Sequence, residues 1–220
     1  MKTIQLFFYV CFLCCINSLF AQEDSLGNGL LFPQFEKGFV VFKNNTRSSA
    51  LLNYNMIGQE MLFLDTDSTI LALSNPADVL VVIIGERRFL PGSSQGSFYE
   101  EAEAGKGSFF IQRNAMMLSE GKAAGYGGYS QTSSVTSYSS YQIGSGAMTK
   151  LKPDEKFKLK IESTYYLKSG NSYKKFFSAK TLGKLFKGHE SEIEDFANKQ
   201  STDFSKVEDI IRIVEYGYGL

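Results

Sequence analysis

Few residues in this chain are of the types that do chemistry. There is a single histidine, His189, and the three cysteines, Cys11, Cys14 and Cys15, all fall close to the N-terminus. A Ser-His-Asp relay would have to use His189, and no nucleophile-elbow pattern accompanies it. It reads instead as a residue at the junction of two helices. With one imidazole and no thiolate beyond residue 15, a zinc site is disfavoured. Carboxylates are the other candidates. Glu100, Glu101 and Glu103 could supply the pair of acids that glycoside hydrolysis needs across a cleft, although their spacing alone reads as solvated acids near a strand end. Residues 65–68 (DTDS) alternate oxygen ligands as some calcium loops do, but the glycine and the late glutamate of such a loop are missing, so a turn explains them better. Residues 125–128 (GYGG) are followed by no Lys-Ser/Thr pair, which removes a phosphate loop. Residues 44–46 (NNT) match a glycosylation sequon, for which a tight turn is sufficient reason. No metal site and no cofactor is implied.

The N-terminus is organised for export. Lys2 is followed by an apolar run from Ile4 to Leu19, and Ala21 offers a small residue before Gln22, Glu23 and Asp24. That is the layout of a secretory signal peptide over residues 1–21. A membrane anchor is the competing reading, but the run is shorter than the roughly 20 residues a span requires. Lipidation is a further alternative, weakened because Cys14 follows Leu13 and Cys15 follows Cys14. Cleavage would leave a chain without cysteine, so stability would rest on burial rather than disulfides. Lys+Arg and Asp+Glu both number 23. With no net basic charge, nucleic acid is not an expected partner. No later stretch is long and apolar enough to span a bilayer as a helix.

Between residues 35 and 118 the pattern is one of short strands. Segments 38–43, 49–54, 60–65, 69–73 and 79–84 are apolar or β-branched, and turn clusters separate them. Further strands are expected at 87–90, 97–101, 108–113 and 115–118. Even spacing with frequent turns predicts a meander forming a sandwich or a partly open barrel. Residues 156–162 (KFKLKIE) alternate, with Phe157, Leu159 and Ile161 on one face. Segments 163–167 and 173–177 flank a glycine-centred insert, which predicts a hairpin. The tail predicts three short helices. Ser178 can cap the first. Ser191 with Glu194, and Ser205 with Glu208, have the spacing of capping boxes for the second and third. Each helix has one apolar stripe that must pack on the β-region. The expected fold is therefore α+β, with a β-rich region at 22–118, a Gly/Ser/Tyr-rich loop at 119–150 and a hairpin plus helical tail at 151–220.

The Gly/Ser/Tyr stretch holds Tyr126, Tyr129, Tyr138 and Tyr141. Tyrosine joins a large apolar ring to a polar tip, which suits a surface that meets a ligand or partner. These four are the candidate binding residues. A loop laid over the sheet, an adhesive low-complexity segment, or an edge strand at 134–143 are the other readings.

The motifs at residues 38–43 (GFVVFK), 52–55 (LNYN), 60–63 (EMLF) and 124–132 (AGYGGYSQT), with the tail from Lys180 to Tyr216, resemble uncharacterised exported proteins of Gram-negative envelopes. That resemblance implies no activity and no catalytic residues. The expected function is an exported, non-enzymatic binding or structural module of the cell envelope, facing an unidentified protein or glycan. A carboxylate-dependent polysaccharide hydrolase is the alternative, and an accessory subunit of an outer-membrane complex, using the helical tail, is a third. Export places the chain in the periplasm, at the outer membrane or outside the cell.

Overall fold

The computed structural model describes residues 29–93, 96–124, 128–130 and 155–220. Residues 1–21, read from the sequence as a signal peptide, lie outside them. The described residues form one antiparallel sheet and three C-terminal helices. The strands are β1 (Glu36–Phe42), β2 (Arg47–Asn55), β3 (Glu60–Leu64), β4 (Ile70–Ala72), β5 (Val79–Ile84), β6 (Arg87–Pro91), β7 (Phe98–Ala104), β8 (Gly107–Ala124), β9 (Gly128–Ser130), β10 (Glu155–Ser169) and β11 (Ser172–Phe176). The helices are α1 (Ala179–Gly183), α2 (Glu190–Gln200) and α3 (Val207–Gly219). Sheet order is β11-β10-β8-β7-β6-β5-β1-β2-β3-β4, with β9 attached to β8.

This order follows from short connections. The chain meanders outward from β1 to β4, and a single turn at Pro76–Asp78 returns it to the other side of β1. From β5 onward it meanders the opposite way. Local polar groups make the turns. Asn44 Oδ1 accepts from both the backbone N–H and the hydroxyl of Thr46, at 3.0 and 2.6 Å. The Asp65–Ser68 segment is likewise a turn, closed by the Ser68 N–H on the Asp65 carbonyl.

The sheet is open but strongly curled. Beyond Phe98, β7 no longer accompanies β8, and the β2–β3 turn takes its place. The Ala115 N–H donates to the Met56 carbonyl at 3.0 Å. Gln59 Nε2 donates to the carbonyls of Met56 and Arg113 at 2.7 and 2.6 Å. A partly open barrel describes this arrangement better than a two-sheet sandwich.

Two cores form on the inner face. The first gathers Val40, Leu52, Tyr54, Met56, Val82 and Phe89 with Ala115 and Met117 inside the curl. The second gathers Phe109, Ile111, Tyr165 and Phe176 under Leu182, Ile193, Ile210, Ile213 and Val214 of the helices. Side chains alternate across a strand, so Phe109, Ile111, Ala115 and Met117 of β8 all point to the same face. One strand therefore serves both cores, one at each end.

The register corrects several expectations. The segments expected at 108–113 and 115–118 are one continuous strand, and β8 runs on to Ala124. A border between residues 118 and 119 therefore falls inside a strand. Ser178 caps α1 as expected, accepting from the Thr181 N–H. The other two caps do not form. Helix α2 begins at Glu190 behind His189, which places Ser191 inside its first turn. Helix α3 begins at Val207, and Ser205 is engaged by Asp203 Oδ1 through both its N–H and its hydroxyl.

Helix α3 closes the second core with a fully buried stripe of Ile210, Ile213 and Val214. Ile213→Ala should cost about 2–5 kcal/mol, the range for emptying a buried aliphatic site. A urea titration followed by circular dichroism measures it, and an effect below about 1 kcal/mol would mean that the helices are only loosely attached.

Candidate functional site

The seam between the two cores is charged. Phe89, Glu100 and Ile111 stand side by side on β6, β7 and β8, and Glu100 is only 8% exposed. Arg87, one turn of the pleat from Phe89, donates to both carboxylate oxygens, Nε at 2.6 Å and the second nitrogen at 2.8 Å. Arg113 Nε donates to Oε2 at 2.8 Å. The Arg87 guanidinium also lies over the rings of Phe32 and Phe89, at 4.9 and 5.6 Å. Burial alone would raise the Glu100 pKa, but the hydrogen bonds and charges of Arg87 and Arg113 outweigh it and hold the carboxyl below its ordinary value. The expectation of three solvated acids is thus wrong for Glu100. A carboxylate held ionised in this way has no proton to give as a general acid.

Its neighbours are also committed. Glu101 accepts from Arg88 Nε at 3.0 Å and from the Ser108 hydroxyl at 3.3 Å. Glu103 is exposed. An open hollow of about 640 Å³ between the β5–β6 and β7–β8 turns is lined by Glu86, Glu101 and Glu103, but also by Arg87, Arg88 and Lys106. Acids and bases are matched there. The pair that glycoside hydrolysis uses, one acid protonated and one ionised, does not arise from these groups.

The outer face of the same strands holds an aromatic cluster. Tyr99 of β7, Phe110 of β8, Tyr166 of β10 and Tyr173 of β11 alternate with core residues and so project away from the helices. Tyr99 and Tyr166 stack at 4.8 Å between ring centroids. Tyr173 meets Tyr99 and Phe110 edge-on, each at 4.9 Å. Tyr99 and Phe110 are buried, whereas Tyr166 and Tyr173 are half-buried and reach the surface. The Tyr99 hydroxyl is 2.7 Å from Ser93 Oγ. Tyr166 donates to Gln112 Oε1 at 2.8 Å, and Gln112 Nε2 donates to Gln59 Oε1 at 2.9 Å. This chain of bonds ties the cluster to the β2–β3 turn. Burial pushes the Tyr166 hydroxyl up to about 12 and raises Tyr173 as well. Both therefore stay neutral at any physiological pH. Lys168 Nζ lies 6.0 Å from the Tyr173 ring.

Of the sequence-predicted tyrosines only Tyr129 is among the described residues. Tyr126, Tyr138 and Tyr141 lie outside the described residues, as does the 134–143 segment read as an edge strand. Tyr129 sits on β9 opposite Ala123. The surface tyrosines that the fold does bring together, Tyr166 and Tyr173, are read from sequence only as hairpin residues. Their common face becomes visible once β10 is in register with β8 and β11. His189 stands at the start of α2, partly exposed, with Nδ1 2.5 Å from Glu192. Among the described residues no group of three His, Cys, Asp or Glu side chains could hold a metal ion, and no helix is long and apolar enough to cross a membrane.

Glu100→Gln should destabilise the fold by about 3–5 kcal/mol at pH 7, because two arginines then share a poorly solvated site without their counter-charge. The folded-state pKa is depressed, so the contribution is full above the ordinary carboxylate range and fades as pH falls through the lower folded value. The gap between wild type and variant should close on acidification below about pH 4. Urea midpoints across pH 2.5–7 report it, and a constant gap would remove the electrostatic account.

No protein-family model, no curated protein and no solved structure matches this chain.

Proposed function

We propose that this chain is an exported, non-enzymatic binding module of the bacterial cell envelope, and that its binding surface is the outer face of the sheet around Tyr166 and Tyr173. The observation that carries this reading is the half-exposed aromatic stack itself. Its rings are fixed by Tyr99 and Phe110 beneath them, so little side-chain freedom is lost on contact. Flat faces with neutral hydroxyls suit the apolar face of a sugar ring or an amphipathic protein surface. The apolar run from Ile4 to Leu19 and the resemblance to exported envelope proteins support the location.

The hydrolase alternative draws no support from the acids, because Glu100 is held ionised and Glu101 is tied to Arg88. An accessory role through the helical tail is also weakened. The apolar stripes of α1, α2 and α3 are already used against the sheet and one another.

Leucine at positions 166 and 173 keeps apolar volume but removes the flat ring. Purified peptidoglycan sacculi and lipopolysaccharide serve as glycan probes, and solubilised envelope proteins as the protein probe, each by co-sedimentation or capture with the purified chain. The wild type should bind one of them, and Tyr166→Leu with Tyr173→Leu should weaken that binding on the order of tenfold while leaving the circular dichroism spectrum intact. Equal binding by the leucine variant would move the site off this face. Release of reducing ends from sacculi by the wild type would overturn the non-enzymatic reading.

A further inference from the structure

The aromatic face of β10 and β11 is interleaved with lysines. The register of the two strands sets Tyr166 opposite Lys175 and Lys168 opposite Tyr173. Residues two apart on a strand share a face, so all four lie on the outer side, where Lys168 Nζ is 6.0 Å from the centre of the Tyr173 ring. Tyr165, Leu167 and Phe176 alternate with them and are buried in the second core. The four form a two-by-two pattern. Each tyrosine has one lysine across the strand pair, about 5 Å away, and another two residues along its own strand, about 7 Å away. Both rings are half-buried and both lysines are exposed.

Neither lysine is neutralised. Among the described residues no carboxylate forms an ion pair with Lys168 or Lys175. The acids on the same side of the sheet are engaged elsewhere. Glu101 is in line with Tyr166 but beyond Phe110, and it accepts from Arg88 and Ser108. Glu162 pairs with Lys160 at 2.6 Å. Glu103 lies across β8, in the hollow that it shares with Arg88 and Lys106. Two positive charges are left beside the two rings.

This pattern discriminates between the two kinds of partner that suit an aromatic face. The centre of a protein interface is depleted in lysine, and a stable one covers about 800 Å² per partner. Here the lysines stand between the rings, and the pattern measures only about 5 by 7 Å, the scale of a single sugar unit. A sugar stacked on one tyrosine places its ring substituents within reach of the lysines on either side. A carboxylate bonded directly to a ring carbon keeps its charge at that rim.

We propose that the tyrosine face binds an acidic saccharide, a polymer whose sugar rings carry carboxylates, with a sugar stacked on Tyr166 or Tyr173 and its carboxylate at Lys168 and Lys175. This rests on the tyrosine-face reading and adds the charge and the class of the ligand.

Polygalacturonate and its methyl ester present the same rings with and without the charge, and polyphosphate presents charge without rings. Each is titrated into the purified chain by calorimetry. Polygalacturonate should bind at least tenfold more tightly than the ester and than polyphosphate, with an affinity that falls as salt is raised. The Lys168→Gln, Lys175→Gln double variant should lose the preference for polygalacturonate over the ester. Both lysines are exposed, so the fold should survive, and an unchanged circular dichroism spectrum verifies it. Equal binding of polygalacturonate and the ester would overturn the proposal. So would polyphosphate binding as tight as that of polygalacturonate, a glutamine variant that keeps the preference, or no binding of polygalacturonate below about 1 mM. In each of those cases, sacculus or envelope-protein binding that is lost in Tyr166→Leu with Tyr173→Leu would leave the tyrosine-face reading standing. If the leucine variant binds every probe as the wild type does, both readings fall.

Discussion

An ionised carboxylate clasped by two arginines inside a largely apolar face is the constraint on which the rest of this structure turns. Arg87, Glu100 and Arg113 come from three neighbouring strands, and all three must face inward for the cluster to close. A slip of one residue in β7 would send Glu100 to the outer face and bring Tyr99 or Glu101 inward. The bare arginines would then be costly. A buried ion cluster adds little net stability when compared with apolar packing. Its effect here is on register, which it fixes across β6, β7 and β8 at once.

Register in turn decides what each end of β8 does. Phe109 and Ile111 lie under the helices, while Ala115 and Met117 lie inside the curl. Arg113 separates them. The same alternation delivers Phe110 and Gln112 to the outside, where Phe110 supports Tyr173 and Gln112 holds the Tyr166 hydroxyl. The outer aromatic surface is therefore stiff because the inner face is filled. It is also linked to the first core, since Gln112 is bonded to Gln59 and Gln59 to the carbonyls of Met56 and Arg113.

The fold class was legible in the sequence because its signals are local. Strands stop where Asn44, Asp65 and the glycine-centred turns stop them, and apolar alternation marks residues 156–162 without any knowledge of neighbours. Ser178 was legible for the same reason: its cap involves Thr181, only three residues away. What failed was non-local. Arg113 and Asn114 look like an interruption of a strand until Glu100 supplies the reason for an inward arginine. Glu100 looks solvated until Arg87 and Arg113 are placed beside it. The caps assigned to Ser191 and Ser205 failed through competition: Asp203 captured Ser205, and α2 began two residues earlier than Ser191 required. Tyr166 and Tyr173 carry no sequence signal of a shared surface, because sheet pairing alone brings them together.

The end of β11 shows how a local rule reaches a distant part of the sheet. Ser178 and Thr181 exchange hydrogen bonds that start α1. The chain must leave the sheet to make that cap, so β11 ends at Phe176. Phe176 is opposite Tyr165, so β11 accompanies β10 no further back than that residue. Further back on β10, Lys158 and Lys160 are exposed, and Lys160 Nζ pairs with Glu162 at 2.6 Å. Their parity is that of Tyr166, so the lysine row and the aromatic surface share one side of one strand. A single capping interaction thus sets where β11 stops accompanying β10, and with it how far the aromatic surface of Tyr166 and Tyr173 is backed by paired strands.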